Sequence, residues 1–424
     1  MKIAIVGTGI AGNVAAHHLC RKHEVTVFEA ADHIGGHTHT HDVEYQGRHY
    51  AVDTGFIVFN DLTYPHFTRL LKDLDVATRP TEMSFSVKCE NTGLEYNGQS
   101  LNTLFAQRSN LLRPSFHRML WDILRFNREA PALIDGNELH LSLGEFLRAG
   151  GYGREFIEHY LVPMGAAIWS TDPRLMYEFP AGFFIRFFHN HGLLSVRDRP
   201  QWYVIQGGSR EYVRKLIAPF AHRIRVATSV ESITRHPNHV SIKVRGQEAE
   251  HFDHVFIAAH SDQALGLLKD ATPLERQVLG AIPYQKNQAV LHTDASVLPQ
   301  RSLAWAAWNY HILPAEQGRV PVTYNMNILQ GLQAPVQFCV TLNNSAAIAP
   351  AKVLKRITYT HPVFTPQGIA AQQRQAEING VNRTYFCGAY WRYGFHEDGV
   401  VSALNALQHF EENAHAQLSL RRAS

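Results

Sequence analysis

Three textures of hydrophobic and polar residues alternate along the chain. Residues 2–6 form a short apolar run that ends in Gly7, residues 10–19 carry apolar side chains at helical spacing, and residues 24–28 alternate as a strand does. Together they predict a βαβ unit at the start of the sequence. Residues 41–45 and 49–53 predict a hairpin turning at Gln46-Gly47, and residues 64–74 a helix with Pro65 near its start. From 79 to 199 longer helical patterns take over, as at 115–128 and 143–147, and this stretch reads as a separate lobe. Strand texture returns at 202–205, 225–226, 240–244 and above all 255–259, a continuous apolar run of the kind buried in a parallel sheet. Further strand-like stretches fall at 289–293 and 320–325, a short strand at 384–389, and a helix at 399–410.

The economical organisation is one nucleotide-binding lobe assembled from three parts of the chain, 1–78, 200–266 and 366–424, with a second lobe supplied by 79–199 and 267–365. A length of 424 residues fits two such lobes. With 45% hydrophobic and 18% charged residues the chain is a globular protein, and a formal charge of +3 gives no reason to expect nucleic acid as a partner. The four cysteines lie far apart, without zinc or disulfide spacing, so reduced thiols and a cytoplasmic setting are expected. No apolar run reaches the ~18 residues needed to span a bilayer, which leaves peripheral contact with the inner membrane surface as the only membrane association to expect.

Candidate chemistry begins with Gly7-Thr8-Gly9-Ile10-Ala11-Gly12, a G-x-G-x-x-G between strand and helix, with Glu29 closing the second strand 17 residues after Gly12. Gly7 makes the tight turn, Gly9 lets backbone approach a pyrophosphate, Gly12 lets helix and strand pack closely, and the helix N-terminus favours phosphate charge. Glu29 is placed to accept bonds from ribose hydroxyls and disfavours a 2′-phosphate, hence NADP. By itself this unit suits NAD or FAD. Just beyond it stands a second glycine pair, His33-Ile34-Gly35-Gly36-His37-Thr38.

At this point the sequence resembles the flavin-containing amine oxidase superfamily, which includes phytoene-desaturase-like and protoporphyrinogen-oxidase-like enzymes. The second glycine pair of that superfamily is usually flanked by arginines; here His33 and His37 stand instead. The resemblance continues through Asp53-Thr54-Gly55, Gln206-Gly207-Gly208 and Ser229-Val230 to Phe386-Cys387-Gly388-Ala389 and the segment 394–400. It implies FAD as cofactor, held at Gly7, Gly9, Ile10, Ala11, Gly12, Glu29, Gly35, Gly36, His37, Thr38, Gly55, Val230, Gly388, Gly399 and Val400. The fold it implies is α/β: a Rossmann-like FAD-binding lobe of the amine oxidase and p-hydroxybenzoate hydroxylase type, with an interleaved α+β substrate lobe. Only one dinucleotide fingerprint is present, so the substrate itself is expected to give a hydride to flavin N5.

The substrate is less constrained. The superfamily places an aromatic cage residue just after the turn glycine of the C-terminal segment, where Phe395 stands, and Tyr390 and Phe184 join it as candidate substrate contacts. A closer resemblance is to a bacterial branch of NAD/FAD-binding proteins typified by the Gly-Gly-His-Thr-His-Thr run at 35–40 and by the stretches 305–310 and 324–327, commonly encoded beside cyclopropane-fatty-acid-synthase-like methyltransferases. It implies an acyl-lipid substrate, concretely desaturation of a methyl-branched acyl chain, and a lipid methyltransferase as partner. Oxidation of a small amine, and a non-catalytic flavoprotein serving such a methyltransferase, are the alternatives.

Phe179, Phe183, Phe184, Phe187 and Phe188 crowd around Pro180 as an acyl tunnel or an ordinary core would. The segment 108–128 carries five arginines against Asp122, with Leu120, Trp121, Leu124 and Phe126 between them, as an interfacial helix or a solvated basic face would. His396 and Glu397 are candidate bases, and Lys286 sits where relatives hold a water near N5. His37, His39 and His41 alternate as a strand-borne metal cluster would, although phosphate contact or polar packing is the better reading, and no metal is expected. The absence of a G-x-S-x-G elbow removes acyl hydrolysis.

Overall fold

The computed structural model describes residues 1–135, 141–195, 199–314 and 318–423. Its centre is a five-stranded parallel sheet in the order Ile224–Arg225, Glu24–Phe28, Lys2–Val6, His254–Ile257, Thr384–Phe386. The three strands that the apolar runs predicted are adjacent in space although more than a hundred residues separate each from the next in sequence. The alternation of side chains explains why: Ile3, Ile5, Val25, Val27, Phe256 and Tyr385 point to one face, against the helices Ile10–Leu19, Arg210–Ile217 and His396–Ala423. Ala4, Val6, Phe28, Val255, Ile257 and Phe386 point to the other, which a three-stranded antiparallel sheet built from Val230–Arg235, Val240–Val244 and Ala249–Phe252 covers. With both faces buried, near-continuous hydrophobic strands are required.

Register aligns the carboxyl ends. Val6 pairs with Phe28 on one side and Ile257 on the other, and Ile257 pairs with Phe386. Gly7, Glu29, Ala258 and Cys387 therefore share one edge of the sheet, at the position where strand order reverses, the crevice in which open α/β sheets bind ligands.

The second lobe is built on a seven-stranded sheet to which Phe85–Cys89 and Leu94–Asn97 contribute alongside Tyr284–His292, Trp308–Ile312, Val322–Asn325, Cys339–Leu342 and Val353–Pro362. The two early strands interrupt the helical stretch that the sequence pattern suggested for 79–199. Helices Pro114–Glu129, Val162–Trp169 and Ala181–Asn190 pack into the same core. The hairpin Thr40–Tyr45 and Arg48–Asp53 turns at Gln46 (φ 50°) and Gly47 (φ 72°), both left-handed as a two-residue turn demands. Its Val43, Tyr50 and Val52 belong to the core of the second lobe. No helix among the described residues is long and apolar enough to cross a membrane, and all four cysteines are free.

Asp53, at the end of that hairpin, joins the lobes. Its carboxylate accepts from Ser209 N (3.0 Å to either oxygen), Ser209 Oγ (2.8 Å), Thr40 Oγ1 (2.5 Å) and Gln330 Nε2 (3.0 Å). Gln330 also accepts from Asp53 N at 2.9 Å. Burial pushes the Asp53 carboxyl up to about 6, against the opposing pull of these donors. Gly208 must be glycine here: at φ +92° its Cβ would lie 2.5 Å from Thr40 Cγ2. Replacing Asp53 by Ala strands several buried donors at once, and we expect a loss of about 3 kcal/mol or more in urea unfolding, against about 1 kcal/mol for Gln330→Ala.

Candidate FAD site and substrate chamber

Four segments meet at the carboxyl edge of the parallel sheet with no side chain between them. A Cβ on Gly12 would sit 2.0 Å from Gly7 O, one on Gly55 2.1 Å from His37 O, one on Gly36 3.1 Å from Gly9 Cα, and one on Gly399 2.5 Å from Ile10 Cγ2. The first glycine motif, the second glycine pair, the Asp53-Thr54-Gly55 corner and the C-terminal helix are thus pressed together. Gly9 alone among these glycines has open space where its Cβ would point. It caps the helix Ile10–Leu19, whose N-terminus carries no side-chain cap and no acid in its first turn. The start of the helix His396–Ala423 lies beside it, since Gly399 packs on Ile10 and a Cβ there would lie 3.8 Å from Ala11 N.

Glu29 follows the second strand, half-buried, with Oε2 accepting from Thr8 N (2.9 Å) and Thr8 Oγ1 (2.5 Å) and Oε1 from Ala31 N (2.9 Å). A lone pair remains on Oε1 for a ribose hydroxyl. Val230 is brought to the same corner because Thr228 N donates to Glu29 O and Ala227 N to Ala31 O. Gly388 stands at the end of the last strand, its N–H held by Ser402 Oγ at 2.8 Å. Nearby, His37 Nε2 and His260 Nδ1 are buried polar atoms without a hydrogen-bond partner. Open space over Gly9, an uncapped helix N-terminus, an acid at the ribose position and unpartnered imidazole nitrogens together fit a dinucleotide.

A family description, flavin containing amine oxidoreductase, matches residues 10–295. The chain belongs to this family. FAD is accordingly its cofactor, and the Rossmann-like lobe is the one that holds it. A protein named a flavin-containing monoamine oxidase in Mycobacterium tuberculosis is 26% identical over 264 residues, which cover 58% of this chain and 54% of that protein. The alignment thus spans about half the length of this relative. Two solved structures share the fold: cyclohexylamine oxidase from Brevibacterium oxydans (TM-score 0.70, 17% identity, covering 97% of this chain and 99% of that one) and a fatty acid isomerase from P. acnes (0.69, 17%, 96% and 98%).

The structure gives several of the expected site residues other partners. His396 is a buried spacer: its Nε2 meets Tyr212 OH at 2.7 Å and Thr38 Oγ1 at 3.0 Å, and its ring stacks on Phe56 at 3.6 Å and 9°. Burial pushes its imidazole down to about 3. The Thr38 hydroxyl is spent on the same network, bonded to Tyr212 OH at 2.6 Å. Glu397 caps the helix Pro65–Asp73, accepting from His66 N (3.1 Å), His66 Nδ1 (2.6 Å) and Phe67 N (2.9 Å), where an acid complements the helix dipole. Neither residue has a free face for a substrate.

Lys286 fails by one position. Its strand neighbour Asn287 is buried and meets His361 Nδ1 at 2.9 Å, while His361 and Tyr359 lie 5.2 and 5.0 Å from the His37 ring. Alternation puts Lys286, paired with Thr360 and exposed, on the opposite face. Tyr390 is buried against Gly388 and Trp391 in the core between the two sheets of the FAD lobe. Phe184 is fully buried, stacked on Phe188 at 4.2 Å and pressed on Gly165. The histidines separate as well. His33, His39 and His41 form a stack (centroids 3.9 and 4.1 Å), whereas His37 turns away to His260, His361 and Tyr359. Among the described residues no group of three or more His, Cys, Asp or Glu is placed to hold a metal ion.

Phe395 joins a cluster of aromatic rings, the wall of a candidate substrate chamber. It stacks on Phe187 (5.2 Å, 25°), and Tyr393 lies 4.8 Å from Phe183 and 5.4 Å from Phe187. Phe364 stacks on Phe183 at 5.4 Å, and Trp169 backs Phe187 at 4.7 Å. On the helix Ala181–Asn190 it is therefore the 183/187 stripe, not 184/188, that meets the C-terminal segment. Two residues that the sequence did not single out border this chamber. His191 donates from Nδ1 to Phe187 O (2.9 Å), with burial pushing it down to about 4, so it is neutral. Asp398 accepts from Phe395 N (2.9 Å) with Arg392 Nε 3.6 Å away, and burial raises its carboxyl to about 7. The two open surface clefts of about 720 and 780 Å³, one at Lys22 and Arg223 and the other at Tyr50 and Asn325, touch neither the glycine motifs nor this chamber.

Two outcomes follow from the geometry. Gly9→Val, whose side chain would enter open space at a φ of −62° that any residue adopts, leaves the fold intact and abolishes FAD retention, whereas Gly12→Ala destabilises the protein itself; absorbance and thermal melting separate the two. The buried imidazoles set the pH response. Unfolded, they take protons near 6.5; folded, His396 does so only near 3 and His361 near 4. The unfolded chain thus binds more protons between those values, stability is full above 6.5 and drains as pH falls, and His396→Gln flattens this slope in melting curves while lowering the plateau.

Proposed function

We propose that this protein is an FAD-dependent oxidoreductase that removes two hydrogens from an acyl lipid, a methyl-branched fatty acyl chain being the concrete candidate. The observation that carries the reading is this aromatic wall: Phe183, Phe187, Phe364, Tyr393 and Phe395 pack on one another, and the half-buried outer faces of Phe183, Tyr393 and Phe395 offer the apolar surface against which an alkyl chain would lie. Bound FAD supplies the two-electron acceptor. The chain's own part is to hold the alkyl segment against Phe183, Tyr393 and Phe395, to exclude water with the rings behind them, Phe187, Phe364 and Trp169, and to receive a proton. Asp398, fixed to Phe395 N and raised toward neutrality, is the acceptor in this reading.

An amine remains the second reading, favoured by the same aromatic pair in the C-terminal segment and by the relative in Mycobacterium tuberculosis. The fold accommodates both classes, since cyclohexylamine oxidase and a fatty acid isomerase share it. Anaerobic mixing separates them: bleaching of the flavin by a methyl-branched fatty acid or its phospholipid, and not by primary amines, is the expected outcome, and bleaching by amines alone would overturn the lipid reading. With the reducing substrate, the rate of bleaching should rise with pH through about 7 as Asp398 loses its proton, and Asp398→Asn should be slower and flat with pH.

A further inference from the structure

The large hydrophobic side chains left in solvent are not scattered. Of the twelve that are exposed among the described residues, six fall together: Leu101, Leu111, Leu112, Trp121, Leu124 and Leu303, with Leu112 89%, Leu101 78% and Trp121 60% exposed. Contacts make them one face. His117 Nε2 bonds to Leu111 O at 2.8 Å, the His117 ring lies 6.1 Å from Phe105 at the end of the helix Leu101–Leu104, and that helix packs on the turn Ser302–Ala304. Along Pro114–Glu129 the inward stripe is Phe116, Met119, Asp122 and Phe126, and the outward one runs His117, Trp121, Leu124, Arg128 at helical spacing.

Charge on this face is one-sided. Residues 101–129 hold five arginines against Asp122 and Glu129. Asp122 is buried and engaged by Arg118 and Arg125, and Glu129 is engaged by Arg125 and Arg128. Glu95, behind the Ser302–Ala304 turn, is buried and paired with Arg301. Arg108 bonds only to Asn102 and to backbone carbonyls, and Arg113 has no acidic partner among the described residues. The result is a projecting apolar ridge of leucines and one tryptophan, rimmed by guanidinium groups whose acidic neighbours are already neutralised. A second copy of this chain would have to offer an acidic rim, which this face lacks; an anionic bilayer offers both phosphate charge and an apolar layer for Leu112 and Trp121 to enter.

We propose that this face docks the protein on the surface of an anionic phospholipid membrane, with Leu101, Leu111, Leu112, Trp121 and Leu124 inserted at the headgroup level and Arg108, Arg113 and Arg128 on the phosphates. This rests on the acyl-lipid reading only for its purpose, since docking would bring the chamber to where acyl chains are; the surface itself is argued from exposure and charge. The test uses the full FAD-loaded protein and its flotation with vesicles of equal parts phosphatidylcholine and phosphatidylglycerol, and with phosphatidylcholine alone. Binding is expected to the anionic vesicles, weakened by salt and at least about tenfold weaker without phosphatidylglycerol.

A Leu112→Asp/Trp121→Asp variant should lose flotation while keeping its flavin spectrum, because both side chains stand in solvent and neither touches the FAD site. Arg113→Glu/Arg128→Glu should lower binding to anionic vesicles about tenfold or more. Wild-type protein that stays unbound, or variants that float as well as it does, would overturn the proposal. So would a wild-type dimer in gel filtration that the Leu112→Asp/Trp121→Asp variant converts to monomer without vesicle binding, which would assign the face to a second copy. Flotation without flavin bleaching by lipid would leave docking standing and remove the acyl-lipid oxidation instead.

Discussion

Everything at the cofactor end of this molecule depends on glycines at the points where its segments meet. Gly12 lies on Gly7, Gly36 on Gly9, Gly55 on the carbonyl of His37, and Gly399 on Ile10, so four segments from the first and last parts of the chain converge within van der Waals distance of one another. Close packing of this kind is steep in its energetics: a methyl group at 2.0 Å has no rotamer to escape into, and the neighbouring atoms are backbone of a buried sheet and helix. The same constraint leaves the one gap over Gly9 and directs two helix N-termini toward it. A phosphate site emerges from the packing rule itself, with the helix dipoles as its electrostatic part.

Around this junction the polar residues act as fasteners. Asp53 ties the hairpin to Ser209 and to Gln330 of the other lobe, His396 ties the C-terminal helix to Thr38 and Tyr212, and Glu397 ties it to the helix Pro65–Asp73. Buried, fully bonded groups of this sort hold one geometry, since each donor left alone in the interior costs about 1–3 kcal/mol. Their pKa shifts report burial, so a strongly shifted residue beside a cofactor need not be part of the reaction. Of the shifted groups at the aromatic cluster, His191 is spent on Phe187 O, and Asp398 lies one residue beyond the two that the motif resemblance favoured.

The nucleotide-binding unit was legible in the sequence because each of its parts is local: an apolar run, a turn glycine, a helix, an acid at a fixed offset. The parallel strands at 254–257 and 384–386 were legible for a related reason, as strands buried on both faces leave a continuous apolar run. What escaped depended on partners distant in sequence. Whether Phe183 or Phe184 faces the chamber is decided by where Tyr393 and Phe395 lie, and two Phe-Phe pairs in that helix offer no preference by composition. Lys286 and Asn287 differ by one step of a strand, so the choice of face rests on pairing with Thr360 and Tyr359. The strands Phe85–Cys89 and Leu94–Asn97 pair locally, but what fixes the hairpin in a sheet is Trp308–Ile312 beside Phe85–Cys89, and that strand comes more than two hundred residues later.

The order in which the chain is made bears on the FAD lobe. Lys2 N donates to Asp253, the opening strand needs His254–Ile257 beside it, and Glu397 caps a helix that begins at Pro65. Each contact closes a loop of hundreds of residues, and loop closure of this length is what slows folding. On a ribosome the opening βαβ unit would wait, with one edge of Lys2–Val6 unpaired, until His254–Ile257 had emerged, while helices of the second lobe had already found local partners. Glu397 reaches its helix later still, so the FAD lobe closes only after segments far apart in sequence have all been made.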